Sequence, residues 1–208
     1  MFKKAILCLC SAFVLGFCED YIVLEKPFNN AKNSVIEIFA YRCGHCYNHH
    51  HFGTLQKLKK SLPNLSFNIY PVSLMNGKIA SQMNEFFAYA YLKDKENNTD
   101  ASDKNSLSEQ LADAYFRAYF VNKQEFNDID AFVNFSLQSL KISKEELNKT
   151  LQSDKAKNIL NEYAYANEVA RTFGTPAFVV NGKYQIKPEA VISLEALQNL
   201  IEELSKKE

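Results

Sequence analysis

The chain has 208 residues, with 24 basic and 24 acidic side chains. That length fits one domain, or one domain carrying an inserted subdomain, and the balanced charge lacks the basic stripe that a nucleic-acid partner requires. Hydrophobic residues make up 47% of the chain, enough for a sizeable core without disulfide staples.

Residues 1–18 read as an export signal. Lys3 and Lys4 supply the positive start, and residues 5–17 form an apolar run too short to span a bilayer. Gly16 and Cys18 place small side chains three and one residues before a cut that leaves Glu19 first. Two competing readings are a membrane anchor and a lipoprotein acylated at Cys18, although Phe17 sits where an acylation site wants a small residue. Cleavage removes Cys8, Cys10 and Cys18 and leaves Cys43 and Cys46 as the cysteines of the mature chain. In an oxidising compartment these two should pair with each other. The loop they close is so short that the bond would stabilise the fold little, so chemistry explains the pair better than stapling does.

Residues 21–24 form a short β-branched and aromatic stretch, and residues 35–41 (VIEIFAY) read as a buried central strand interrupted by Glu37. A helix is expected from the CGHC to about Lys60, broken by Pro63 and Asn64, and residues 65–72 (LSFNIYPV) alternate as a strand. From about Ile79 to Ala170 only helical spacing recurs, with residues 93–106 expected as a mobile polar loop. The last helix of this region is expected over residues 153–173, stopped by Gly174, Thr175 and Pro176. A strand over 177–180, a two-residue turn at Asn181 and Gly182, a returning strand over 183–186 and a closing helix capped by Ser193 complete the pattern. The organisation is therefore α/β, with residues 19–76 and 171–208 forming a discontinuous sheet domain and 77–170 an all-helical insertion.

Cys43 and Cys46 are three residues apart, which on a helix places them on one face and within reach of a disulfide. At a helix start the free N–H groups and the helix dipole favour an anion. A thiol that normally titrates near 8.5 can fall to roughly 3.5–7.5 in such a place. His45, between the cysteines, can add a donor or a positive charge. Stabilising the Cys43 thiolate stabilises the dithiol and makes the disulfide more oxidising. A drop of about three pKa units is worth about 4 kcal/mol, roughly half of the ~7 kcal/mol that spans the potentials of such dithiol pairs. The competing reading is half of a zinc site, since His49, His50 and His51 follow closely. Successive helix positions point about 100° apart, so the three cannot all converge on one ion, and no metal is expected. They read instead as helix-surface residues. Pro176 read alone is an ordinary strand-opening proline.

Three segments, YIVLEKP, VIEIFAYRCGHCYNHH and GTPAFVVNGKYQIKP, resemble the DsbA family of thiol:disulfide interchange proteins, and the resemblance spans most of the chain after residue 18. It implies a thioredoxin-like fold with a helical subdomain inserted where this chain has one. It also implies transfer of a Cys43–Cys46 disulfide to reduced, unfolded exported proteins in the periplasm, with reoxidation by a membrane protein resembling DsbB and no cofactor. The exported chain is expected to be a soluble monomer. The resemblance makes Pro176 a cis-proline beside the redox pair, with Gly174 and Thr175 offering backbone to a bound peptide. It makes Glu25 and Glu37 the buried acids beneath the site, where an unpaired carboxylate is costly unless it is protonated.

Two departures bear on oxidising strength. The family's well-known Pro-His dipeptide is replaced by Gly44 and His45, as in protein disulfide isomerase, and Thr175 precedes the proline where the best-known member has Val. A weaker oxidant is expected, nearer about −180 mV than about −120 mV. A reductase or isomerase using the same pair is the competing enzymatic reading, and a metal- or peptide-binding module the non-enzymatic one.

Overall fold

The computed structural model describes residues 19–72 and 77–207; the expected export signal lies outside them. Five strands form one mixed sheet. They are β1 (Tyr21–Val23), β2 (Ser34–Phe39), β3 (Ser66–Pro71), β4 (Ala177–Val180) and β5 (Tyr184–Ile186), in the spatial order β1-β5-β4-β2-β3. Every residue of β2 is buried, as its near-continuous apolar sequence requires. It runs parallel to β3 and antiparallel to β4, with Glu37 opposite Ile69 on one side and Phe178 on the other.

The helix that follows β2 is shorter than expected. It divides into α1 (Gly44–His51) and α2 (Thr54–Ser61) at Gly53, whose φ of +64° is a left-handed conformation that stops a helix. The carbonyl of His50 accepts from the Gly53 N–H at 3.0 Å. The two cysteines are therefore carried at the start of a helix of two turns, separated at Gly53 from a second helix of the same length.

The insertion consists of α3 (Gly77–Glu96), α4 (Leu107–Phe116), α5 (Ile129–Leu140), α6 (Lys144–Leu151) and α7 (Asp154–Phe173). A π-helical turn, Arg117–Val121, extends α4. Aromatic contacts weld the insertion to the sheet. Phe39 of β2 meets Phe87 of α3 at 5.4 Å and Phe116 of α4 at 5.7 Å, and Tyr70 of β3 meets Tyr163 of α7 at 5.0 Å. Tyr115, fully buried, stacks on Phe132 of α5 and shares a 2.7 Å hydrogen bond with Ser136.

The polar stretch expected as a mobile loop is instead tied down. Residues to Glu96 are helical, and Ala101 donates to the Phe67 carbonyl at 2.9 Å while the Asp100 carboxylate accepts from the Phe67 N–H at 3.1 Å. The segment thereby covers the edge of β3. Asp94, almost fully buried, accepts from the Leu107 and Ser108 N–H groups at 2.6 and 3.0 Å and from the Ser106 hydroxyl at 2.8 Å. It caps α4 from outside and sets where that helix begins.

At the far end, α7 returns to the sheet, and Asn181 and Gly182 both take positive φ, as the tight turn between β4 and β5 demands. Lys183 donates to the Val180 carbonyl at 3.0 Å, but Val180 pairs with Tyr184, so the connection holds one residue more than the two expected. Gly182 also lies where a Cβ would come within 2.8 Å of the Phe28 carbonyl oxygen. The closing helix α8 (Leu194–Ser205), capped by Ser193, buries Leu197, Ile201 and Leu204. No helix among the described residues is long and apolar enough to cross a membrane.

Replacing Asp94 removes the acceptor of two buried α4 amides at once. Asp94→Ala should destabilise the protein by about 3 kcal/mol in urea unfolding. A loss below about 1 kcal/mol would show that α4 does not depend on this cap.

Candidate functional site

Cys43 is the N-cap of α1. Its backbone is extended, and its sulfur accepts the Cys46 N–H at 3.2 Å. The helix begins here because β2 ends at Phe39 and the Cys43 N–H turns back to the Ala40 carbonyl at 2.9 Å. Both cysteines are free thiols; Cys43 is half-buried and Cys46 is 1% exposed. Across the gap, the Thr175–Pro176 bond is cis and the Thr175 carbonyl lies 3.2 Å from the Cys43 sulfur. Gly174, which ends α7, has φ +85° and ψ −159°, a region essentially reserved for glycine. The structure thus gathers Cys43, Cys46, Thr175 and Pro176 from opposite ends of the chain.

The two thiols sit in opposite electrostatic environments. Cys43 is held down to about 5, first by a hydrogen bond from the Cys46 thiol, then, against the opposing effect of burial, by the Thr175 side chain and the N–H groups of Cys46 and His45. The Thr175 carbonyl serves only the protonated thiol, which can donate to it. Cys46 is pushed far up, chiefly by burial and then by the neighbouring Cys43 sulfur. One sulfur is therefore an accessible thiolate at neutral pH and the other a buried thiol.

His45 contributes through its backbone N–H, and its ring is exposed. Gly44 is exposed too, with open space where a Cβ would stand, so the backbone does not demand glycine there. It occupies the first helical position, which tolerates proline well.

Glu37 lies beneath the pair. It is 5% exposed, and burial, reinforced by Glu109 and partly offset by His50, pushes its carboxyl up to about 8. Glu37 and Cys46 line one small cavity with His49, His50 and Glu109, with about 20 Å³ for water centres, room for a single water molecule. Glu25 is not part of this arrangement. It is exposed in the connection after β1 and faces Tyr165, so the expected second buried acid is a surface residue. The polar partners come instead from the insertion. Glu109 and Asp113, four residues apart on one face of α4, hold His50 at 3.3 and 3.2 Å.

The histidine run also departs from expectation. His49 turns inward, with its Nδ1 buried and 3.7 Å from the Glu37 carboxylate and its ring stacked on Phe178. Burial and then His45 lower its pKa. His50 is inside as well; burial works against its charge, but Glu109 and Asp113 together raise its pKa. Among the described residues, no group of three or more His, Cys, Asp or Glu is arranged to hold a metal ion. Around the rim, Tyr47 stacks on Phe120 at 4.6 Å, and Phe52 and Val121 are exposed apolar side chains.

Two measurements check this electrostatic arrangement. The ultraviolet absorbance of the reduced protein should report one thiolate with a midpoint near 5. Cys46→Ala should raise that midpoint by about one unit or more, because the first donor is gone; an unchanged midpoint would exclude the thiol–thiolate bond. The depressed Cys43 pKa contributes stability to the reduced fold that is complete above the ordinary thiol pKa and lost as pH falls through about 5. Glu37 has the opposite sign. Its raised pKa costs the fold increasing stability from about 4.5 up to about 8, so Glu37→Gln should gain on the parent across that interval by up to about 1.4 kcal/mol per pH unit. A flat difference in unfolding free energy would rule out the buried, protonated carboxyl.

Comparison with known proteins identifies the family. Residues 34–203 match the DSBA-like thioredoxin domain family. The chain is 32% identical over 200 residues to the thiol:disulfide interchange protein DsbL of Escherichia coli O6:H1, covering 95% of this chain and 89% of that protein. It is 26% identical over 176 residues to the thiol:disulfide interchange protein DsbA of Escherichia coli K12, covering 83% and 77%. The crystal structure of DsbL from Salmonella enterica serovar Typhimurium superposes with a TM-score of 0.79 at 30% identity, covering 95% of this chain and all of that one. The mixed sheet with its helical insertion is thus the thioredoxin-like fold of DsbA proteins, and the chain belongs to the DSBA-like thioredoxin domain family as a thiol:disulfide oxidoreductase.

Proposed function

We propose that this enzyme donates disulfides, through Cys43 and Cys46, to reduced and unfolded proteins exported to the periplasm. The observation that carries the reading is the asymmetry of the pair, an accessible thiolate at Cys43 beside a buried thiol at Cys46. A substrate thiolate attacks the Cys43 sulfur, the Cys43–Cys46 bond breaks, and its electron pair goes to Cys46. A second substrate thiolate then attacks the substrate sulfur of the mixed disulfide and expels Cys43 as a stabilised thiolate. The Thr175 backbone beside cis-Pro176 and the conformation of Gly174 leave an extended edge along which a substrate segment can lie. Glu37, protonated at neutral pH, is the proton donor to the Cys46 leaving group. Reoxidation falls to a membrane protein resembling DsbB. In this reading residues 19–76 and 171–208 carry the redox chemistry, and residues 77–170 cover its buried side.

The Gly44-His45 dipeptide and Thr175 support a moderate oxidant, and the same dipeptide is the observation that favours a reductase or isomerase as second reading. Equilibration with glutathione, followed by thiol alkylation and gel shift because the chain has no Trp, should give a potential near about −180 mV. A value below about −220 mV would assign the pair to reduction or reshuffling, and one at or above about −120 mV would overturn the moderate strength. Cys43→Ala should abolish oxidation of a reduced dithiol peptide; a variant that retained it would leave binding as the activity.

A further inference from the structure

Opening the Cys43–Cys46 disulfide creates a negative charge on Cys46, the more deeply buried sulfur. If Glu37 gives that sulfur a proton, a carboxylate is left at the centre of the sheet, next to Glu109 and out of reach of bulk solvent. Turnover then needs a route by which a proton returns to Glu37. The cavity beneath Cys46 has walls from β2, β3, α1, α2 and α4, and His50 and Glu109 belong both to it and to the wider groove outside. His50 and Glu109 are 14% and 12% exposed, whereas Asp113 is 51% exposed, so the three form a chain from interior to solvent.

We propose that His50, held between Glu109 and Asp113 at the mouth of the cavity beneath Cys46, is the proton entry through which Glu37 is reprotonated when the redox disulfide opens. The inference rests on the exchange reaction proposed above and adds a positioning residue to it. A substrate thiolate attacks Cys43, and the electron pair of the broken sulfur–sulfur bond goes to Cys46. The Glu37 proton moves to the Cys46 sulfur, the His50 imidazolium passes its Nδ1 proton to the Glu109 carboxylate, which returns a proton to Glu37 through a water in the cavity, and solvent reprotonates His50 at its Asp113 side.

The groups that face His50 suit this role. Glu109 and Asp113 approach its two ring nitrogens from α4, and Gln56 of α2 fixes Glu109 with a 2.8 Å hydrogen bond. Glu37 faces it from β2, while Cys46, His49 and His51 share its helix. Arg117 stands 4.0 Å from Asp113, and Lys57, Lys60 and Lys104 line the outer groove. Burial opposes charge on the ring, but the two carboxylates against it outweigh burial and raise its pKa. His49, by contrast, is turned against Phe178 and its pKa is lowered, so it presents a neutral ring to Glu37.

The test follows the opening of the enzyme's own disulfide by glutathione under single turnover, between about pH 5.5 and 8.5, with rates corrected for the thiolate fraction of glutathione. In the parent the corrected rate should fall as His50 loses its proton. In His50→Gln it should be about tenfold lower at the acid end, without the fall that follows His50, keeping only a decline from about pH 8 upward where Glu37 itself ionises, and partly restored by imidazole in the buffer. Asp113→Asn, which keeps an acceptor oxygen but removes its charge, should shift the fall to lower pH and serves where His50→Gln does not fold. Rates within about twofold of the parent and an unshifted profile in the folded variants would overturn the proposal. Because glutathione opens the disulfide whichever direction the enzyme serves, that outcome leaves disulfide donation standing. Failure of the parent to oxidise a dithiol peptide would instead remove disulfide donation alone.

Discussion

The contact on which the rest of the molecule depends is the one between the Cys43 sulfur and the first turn of α1. A helix start has N–H groups with no internal acceptor, and here the Cys46 N–H finds its acceptor in a cysteine sulfur. That choice requires Cys43 to be the N-cap, which in turn requires β2 to stop at Phe39 and the chain to turn at Ala40. The Cys46 thiol must lie on the buried side of the same turn, where it can donate to Cys43 while being itself denied ionisation. One local hydrogen-bonding pattern therefore divides two chemically identical side chains into a readily ionised sulfur and a buried thiol.

The surroundings preserve that division at a cost. Glu37 places a carboxyl where β2 is paired on both sides, and the fold tolerates it by keeping it neutral. The neighbouring carboxylate Glu109 would make ionisation of Glu37 harder still, and His50 moderates that repulsion. The interior beneath the redox helix is thus a small polar pocket within an apolar core, with its charges arranged in sequence from buried to exposed.

The insertion is integral to this arrangement. Phe87 and Phe116 seal the apolar part of the β2 surface against Phe39, so α3 and α4 are fixed against the same strand that carries Glu37. Asp94 sets the start of α4 and hence where Glu109 and Asp113 meet α1. Tyr47 stacked on Phe120 ties the redox helix to the end of the same unit. A rigid support of this kind holds a reactive pair in position better than a loop would.

Local rules made much of this legible in the sequence. Alternation and apolar runs placed the five strands, Ser193 and Gly174 marked helix ends, and the CGHC spacing placed two cysteines at a helix start. Each of these is set by near neighbours, through backbone hydrogen bonding, capping or helical period. Gly53 does not read as a helix break in the sequence, because a single glycine inside a helical pattern is ordinary until its φ is known. What only the tertiary structure decided is which distant side chains share a cavity. The family resemblance makes Glu25 and Glu37 alike buried acids, yet one is exposed on a connection and the other buried beneath Cys46. His49 and His50 look like helix surface, yet that surface is covered by the sheet and by α4. Burial and long-range charge depend on how α4 and β2 pack against α1, and no spacing within a helix encodes that contact. The sequence by itself therefore determined the chemistry of the pair, while the packed fold determined the environment that tunes it.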